Sequence, residues 1–240
     1  ILNYGFDPFG NALEQKIETF DSDGKLLDTQ LIKNVGFNSR GIPKERTVKT
    51  FDDKGKPIDI QVTNILKMDA KGNVVDQLIE NYDGAGKLLG KTEVKNKDFN
   101  RRGVPALTER KNFDDKGALI DRQLVRNLKV DSRGYVLEQV IENFDDAGKL
   151  LDKQEVVNLE LDSRGNPKKT ERKNFDDAGV LIDRQVTTNS KMDSQGNVLK
   201  QSIENFDAEG ALIDTQEVTN SGFNSRGNPS KTERKNFDSK

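Results

Sequence analysis

The chain has 240 residues, of which 32% are hydrophobic and 33% charged, and its 39 Lys and Arg nearly balance its 41 Asp and Glu. That composition excludes a thick apolar core, and a net charge of −2 leaves no electrostatic footprint for nucleic acid or an anionic membrane. Cysteine, histidine and tryptophan are absent, which removes disulfides, zinc sites of the Cys/His kind, and thiol or imidazole catalysis. Balanced charge and regular turns argue against a disordered chain. No apolar stretch is long enough to span a bilayer, so membrane insertion is not expected, and the start at Ile1 lacks the layout of a signal peptide. Freedom from cysteine fits an extracellular or cell-surface repeat protein.

Two phrases alternate along the chain. The one met first starts at Phe6 and returns at Phe37, Met68, Phe99, Val130, Leu161, Met192 and Phe223, each followed by Asp or Asn and by Gly four residues on. The other starts at Phe20 and returns at Phe51, Tyr82, Phe113, Phe144, Phe175, Phe206 and Phe237, opening aromatic-Asp-x-x-Gly with glycines at Gly24, Gly55, Gly86, Gly117, Gly148, Gly179 and Gly210. Both recur every 31 residues without slippage, so the chain is an array of one small unit whose copies must meet their neighbours in the same way. In Asp-x-x-Gly the Asp side chain caps its own turn, and the glycine takes a left-handed conformation. The phrase therefore predicts a hairpin with a type I turn and a glycine bulge. Between turns lie β-favouring runs such as Tyr135 to Ile141 and Leu150 to Val157, and no period of 3.6 is sustained. The fold class is all-β, an elongated antiparallel meander of tandem hairpins with essentially no helix.

Counting faces across the turn after Phe20 pairs Phe20 with Leu26 and Thr19 with Leu27. Leu26 to Phe37 is then an odd step, so the aromatic signals swap faces every 31 residues unless a bulge resets the count. A longer period is independently visible: Pro43, Pro105, Pro167 and Pro229 are 62 apart, as are Gln15, Gln77, Gln139 and Gln201. The super-repeats run at about 6–67, 68–129, 130–191 and 192–240. One short strand in the later copies, such as Pro167 to Asn174, is entirely polar apart from proline, and burying its charges would cost more than pairing returns. It must be wet on both faces or lie at a sheet edge. A narrow twisted sheet, propeller-like four-stranded sheets and a β-solenoid are the three architectures that compete.

Candidate chemistry is thin. Asp21-Ser22-Asp23-Gly24 has the start of a calcium loop without its distal ligands, so turn capping is expected and no metal or cofactor. Nearly every Asp recurs through the repeat, whereas a catalytic site is a unique constellation, so no enzyme activity and no catalytic residue is expected. Two amide columns stand out: Gln30, Gln61, Gln123, Gln154, Gln185 and Gln216, and Asn34, Asn96, Asn127, Asn158, Asn189 and Asn220. Amides repeating at one place can fix strand register, with a sugar-binding row as the alternative. In the Arg-bearing stretches, Thr170-Glu171-Arg172-Lys173 for one, cross-strand charge pairing is expected, with Asp183 opposite Lys173.

The phrases Phe144 to Leu151 and Tyr82 to Leu89 resemble the tyrosine-aspartate (YD, or Rhs-type) hairpin repeats of bacterial surface and toxin-shell proteins. That resemblance implies an extracellular β-hairpin array without an active site. The function expected is that of a structural repeat protein, a segment of an extracellular filament, fibre or adhesin stalk; the alternative is a carbohydrate- or protein-binding β-repeat module. The sequence starts and stops in mid-phrase, as at Phe237-Asp238-Ser239-Lys240, like a window on a longer array. The expected partners are other copies of the chain, end to end or side by side, with a glycan or surface receptor as a further possibility and no nucleic acid.

Overall fold

The structure is a computed structural model that describes residues 1–21, 23–223 and 227–238. The described residues form strands and turns, with no helix. In chain order the strands are β1 Leu2–Phe6, β2 Ala12–Phe20, β3 Leu26–Phe37, β4 Pro43–Asp52, β5 Pro57–Met68, β6 Val74–Asp83, β7 Leu88–Phe99 and β8 Pro105–Asp114. They continue as β9 Leu119–Val130, β10 Val136–Asp145, β11 Leu150–Leu161, β12 Pro167–Phe175, β13 Leu181–Met192, β14 Val198–Asp207, β15 Leu212–Phe223 and β16 Pro229–Asp238. Strand order follows chain order from β1 to β16, an open antiparallel meander rather than a propeller or solenoid. Long odd-numbered strands of 12 residues alternate with even-numbered strands of 9 or 10 from β2 onward. Two compact units divide the chain, Ile1–Gln123 and Leu124–Lys240.

The described hairpin turns are closed by an Asp or, at Asn38 and Asn100, by an Asn. In the β10–β11 turn Gly148 N donates to Asp145 O at 3.2 Å, Asp145 N donates to Lys149 O at 3.0 Å, and Lys149 N donates to the side-chain Oδ1 of Asp145 at 2.7 Å. Gly148 sits at φ 84°, where a side chain is strained. Of the phrases singled out above, Ser22, Asn224 to Arg226, Ser239 and Lys240 lie outside the described residues.

Two expected pairings fail, and the exception allowed for the face count holds, for one reason: a β-bulge just inside the turns of the aromatic-Asp class. Phe20 does face Leu26, but the register then shifts so that Thr19 faces Asp28 and not Leu27. The same shift sets Asp183 opposite Asn174, with Lys173 opposite Arg184. One extra residue per long strand converts the odd step into an even one. The aromatics therefore do not swap: Phe51 faces Thr29, Tyr82 faces Ile60, and both lie on one face of the first unit. In the second unit Phe175 and Phe206 likewise share a face, opposite Lys153 and Arg184. We call this the aromatic face and its reverse the amide face.

The polar strand is no edge. β12 pairs with β11 on one side and β13 on the other, in a sheet that is wet on both faces. Glu171 is met locally by Arg184 at 3.5 Å and Lys173 at 3.8 Å, and Lys153 of β11 lies 4.8 Å from the Phe175 ring centre. What core exists is thin and two-sided. In the second unit Val156 and Val218 are buried on the amide face, and Val186 on the aromatic face. Ile32 and Val94 hold the amide-face position in the first unit.

Candidate functional site

The two turn classes fall on opposite edges of the meander, because each follows strands of one direction. On the aromatic-Asp edge, a Cβ added at the turn-closing glycines Gly24, Gly55, Gly86, Gly117, Gly148, Gly179 and Gly210 would find nothing within 4 Å, whereas one at Gly84, inside the Asp83 turn, would run into Pro57 O. On the opposite edge the turns are in contact. A Cβ at Gly103 would lie 2.7 Å from Asn73 Oδ1, and one at Gly41 2.8 Å from Asn11 Oδ1. Asn73 is buried, donates through Nδ2 to Asp69 Oδ2 at 2.7 Å, and accepts from Arg40 Nη1 at 2.8 Å, so two turns are tied at one side chain and Gly103 of a third lies against it. Asn166 and Asn197 grip Asp162 and Asp193 in the same way in the second unit. The Asn73 backbone N–H and then its side chain hold the Asp69 carboxyl below its ordinary range, while the side-chain amide of Asn197 leads for Asp193.

The Gln column lies on the amide face and feeds a relay across three strands. Gln154 Nε2 donates to Asn174 Oδ1 at 2.8 Å, and Asn174 Nδ2 donates to Asp183 Oδ1 at 2.6 Å. Gln185, Asn205 and Asp214 repeat the relay; Gln61 and Gln216 make its first link to Asn81 and Asn236. Gln123 occupies the same position, and Thr92 replaces the Gln, bonding Asn112 at 2.8 Å. Gln30 stands opposite Thr50 instead of an Asn, and among the described residues it has no such link.

The Asn column works at the other end of the long strand. β10–β11 pairing stops at Glu138 and Val157, and there Asn158 Nδ2 reaches Val136 O at 3.1 Å, taking over where the backbone ladder ends. Asn34, Asn96, Asn189 and Asn220 each make the same bond to a carbonyl 22 residues earlier. Asn127 holds the equivalent position.

Sequence reasoning missed two features. The Asn after the second-class glycine was visible at Asn11, Asn73, Asn166 and Asn197, but its bond to the turn Asp needs three-dimensional proximity to be seen. The bulged residues form an aliphatic column along the aromatic-Asp edge, each about half exposed: Leu27, Ile58, Leu89 and Ile120 in the first unit, Leu151, Ile182 and Ile213 in the second. Their 31-residue spacing was legible; their exposure follows from the bulge. Among the described residues no cluster of three or more His, Cys, Asp or Glu is placed to hold a metal ion.

The fold defines an all-β tandem hairpin-repeat module. No family model matches the chain, and no curated protein matches it. Among solved structures, the crystal structure of TcdB2-TccC3 is 11% identical over 93% of this chain and 18% of that one, with a TM-score of 0.19. The form without its hypervariable C-terminal region is 13% identical over 92% and 15%, with a TM-score of 0.14. The chain thus spans less than a fifth of those proteins, and likenesses at this level bear on neither arrangement nor function.

Proposed function

We propose that the chain is a structural repeat module of an extracellular or cell-surface filament, fibre or stalk, extended by pairing between strand edges of successive copies. The observation that carries this is the sameness of the pairing from copy to copy: β12 and β16 share the run Lys-Thr-Glu-Arg-Lys-Asn-Phe and meet β11 and β15 in the same register, Val156 opposite Arg172 and Val218 opposite Arg234. A unit that pairs in one register with each neighbour can pair in that register with a further copy. In this role the repeated amides act as register pins, since a slip of one residue separates Gln61, Gln154, Gln185 and Gln216 from their Asn partners. No catalytic group is needed.

The repeat dictates the test. Lys169 faces Thr188 in β12–β13, and translation by whole 62-residue periods carries that pair to Lys231 and Leu2 of the next copy. Because the chain has no cysteine, Lys231→Cys and Leu2→Cys introduce the only thiols. Mild oxidation is expected to give a ladder of linked multimers, with filaments by electron microscopy. Monomers alone would refute edge-to-edge extension.

A further inference from the structure

The repeat supplies an internal control for finding what is unique. On the aromatic face of the later copies, Glu109 meets Arg122 at 3.7 Å and Glu171 meets Arg184 at 3.5 Å, with Lys111 and Lys173 beside the glutamates. The equivalent residues of the first copy are Thr47, Ile60 and Lys49. One strand away Leu31 stands where later copies have Glu93, Glu155 and Glu217. Three charged positions are thus uncharged together, and they are neighbours: Leu31 faces Lys49, Lys49 faces Ile60, Thr47 faces Val62, and Ile60 faces Tyr82. A groove of about 600 Å³ opens there, with Tyr4 and Tyr82 among its walls.

The charge left in the groove is informative. Lys16 is taken by Glu18 at 2.6 Å, and Lys33 stands opposite Glu14. Lys49, which has lost the glutamate partner of its counterparts, makes no ion pair among the described residues and is flanked on both sides by aliphatic side chains. Leu31 remains 43% exposed. A cation beside wet apolar surface is matched by a ligand with one anionic head and an apolar body. The row of amides that a sugar requires lies on the reverse face, and a phosphate dianion calls for more donors than one ammonium. The volume falls within the roughly 300–1,000 Å³ common for small-molecule sites.

We propose that this groove binds a small amphipathic carboxylate, its apolar body on Leu31, Ile60 and Val62 between Tyr4 and Tyr82, and its head on Lys49. The chain has three tyrosines and no tryptophan, so the Tyr4 and Tyr82 ring signals report the groove by NMR while Tyr135 serves as a control in the other unit. Titration with octanoate is expected to move Tyr4 and Tyr82 saturably and leave Tyr135 in place. Octan-1-ol should bind about tenfold more weakly, a charge-assisted contact being the difference. Lys49→Gln should bring octanoate down to the level of octan-1-ol. Thr47→Glu with Ile60→Arg, which installs the ion pair that other copies already carry, should abolish binding of both; should that variant fail to fold, Lys49→Gln decides alone. The proposal is overturned if Tyr135 shifts in parallel, if Lys49→Gln leaves octanoate affinity unchanged, or if octanoate does not saturate. It is equally overturned if sedimentation shows a dimer that Ile60→Arg dissociates, because a second copy then covers the groove.

Discussion

Glu160 occupies a left-handed backbone position, φ 53°, and Asp98 holds the equivalent position at φ 55°, where Gly36 and Gly222 stand in the first and last copies. Left-handed geometry costs a β-carbon about 1–2 kcal/mol, less for Asp, whose short side chain tolerates it. Both side chains are exposed, so little packing is lost on replacement. Glu160→Gly is therefore expected to stabilise the protein by about 1 kcal/mol and Asp98→Gly by less, read as shifts in thermal midpoint; a loss in both would refute the account of strain. Glycines divide in the same way by surroundings. At Gly117, φ 84°, an added Cβ meets nothing, and Gly117→Ala should cost about 1 kcal/mol. At Gly103, φ 80°, the same Cβ meets the fixed Oδ1 of buried Asn73, and Gly103→Ala should cost about 2–3 kcal/mol because the Asn73 bonds must yield as well. Equal costs would contradict the contact between turns on that edge.

A hairpin here is specified by three devices in series: an Asp-capped turn, a bulge, and an amide relay. Asn174 belongs to the relay on both sides, accepting from Gln154 and donating to Asp183, so Asn174→Ala leaves two partners unmet. A cost of about 2 kcal/mol is expected, with hydrogen exchange quickening in β11 to β13 before other strands. The turns were legible in the sequence because Asp and Gly at fixed offsets admit few conformations. Alternation of short and long strands followed from the unequal steps of 14 and 17 residues, Phe6 to Phe20 and Phe20 to Phe37. The place of the bulge in the strand was not legible: Leu27 and Ile182 are ordinary β-formers, and only the pairing of Thr19 with Asp28, or Asn174 with Asp183, shows them to be the extra residue. That one omission moved every neighbouring pair by a residue. The groove escaped for another reason, since its unlike residues come from β3, β4 and β5 and become neighbours only once those strands are in register.

Acid should unfold the protein through the turns. Asp69 and Asp162 have folded pKa values lowered chiefly by the backbone N–H of Asn73 and Asn166, and Asp7 and Asp193 by the side-chain amides of Asn11 and Asn197. A lowered folded pKa means that their contribution is complete above the unfolded value, about 4, and is lost as pH falls through the folded values. The thermal midpoint is expected to hold from pH 7 to about 5 and fall below 4, and Asp193→Asn should lose less over that acid range than the wild type. The central claim is that the chain is an array with a 62-residue period, in which buried Val156 and Val218 repeat a position that the intervening long strand does not share. Deleting residues 130–191 removes one whole period and joins Lys129 to Met192, the counterpart of Val130. Deleting 130–160 removes half a period and brings unlike strands together. The account expects the 62-residue deletion to keep a cooperative all-β transition by circular dichroism with little change in midpoint, and the 31-residue deletion to lower it clearly. If both deletions are tolerated equally, or if the whole-period deletion unfolds the chain, the account is wrong.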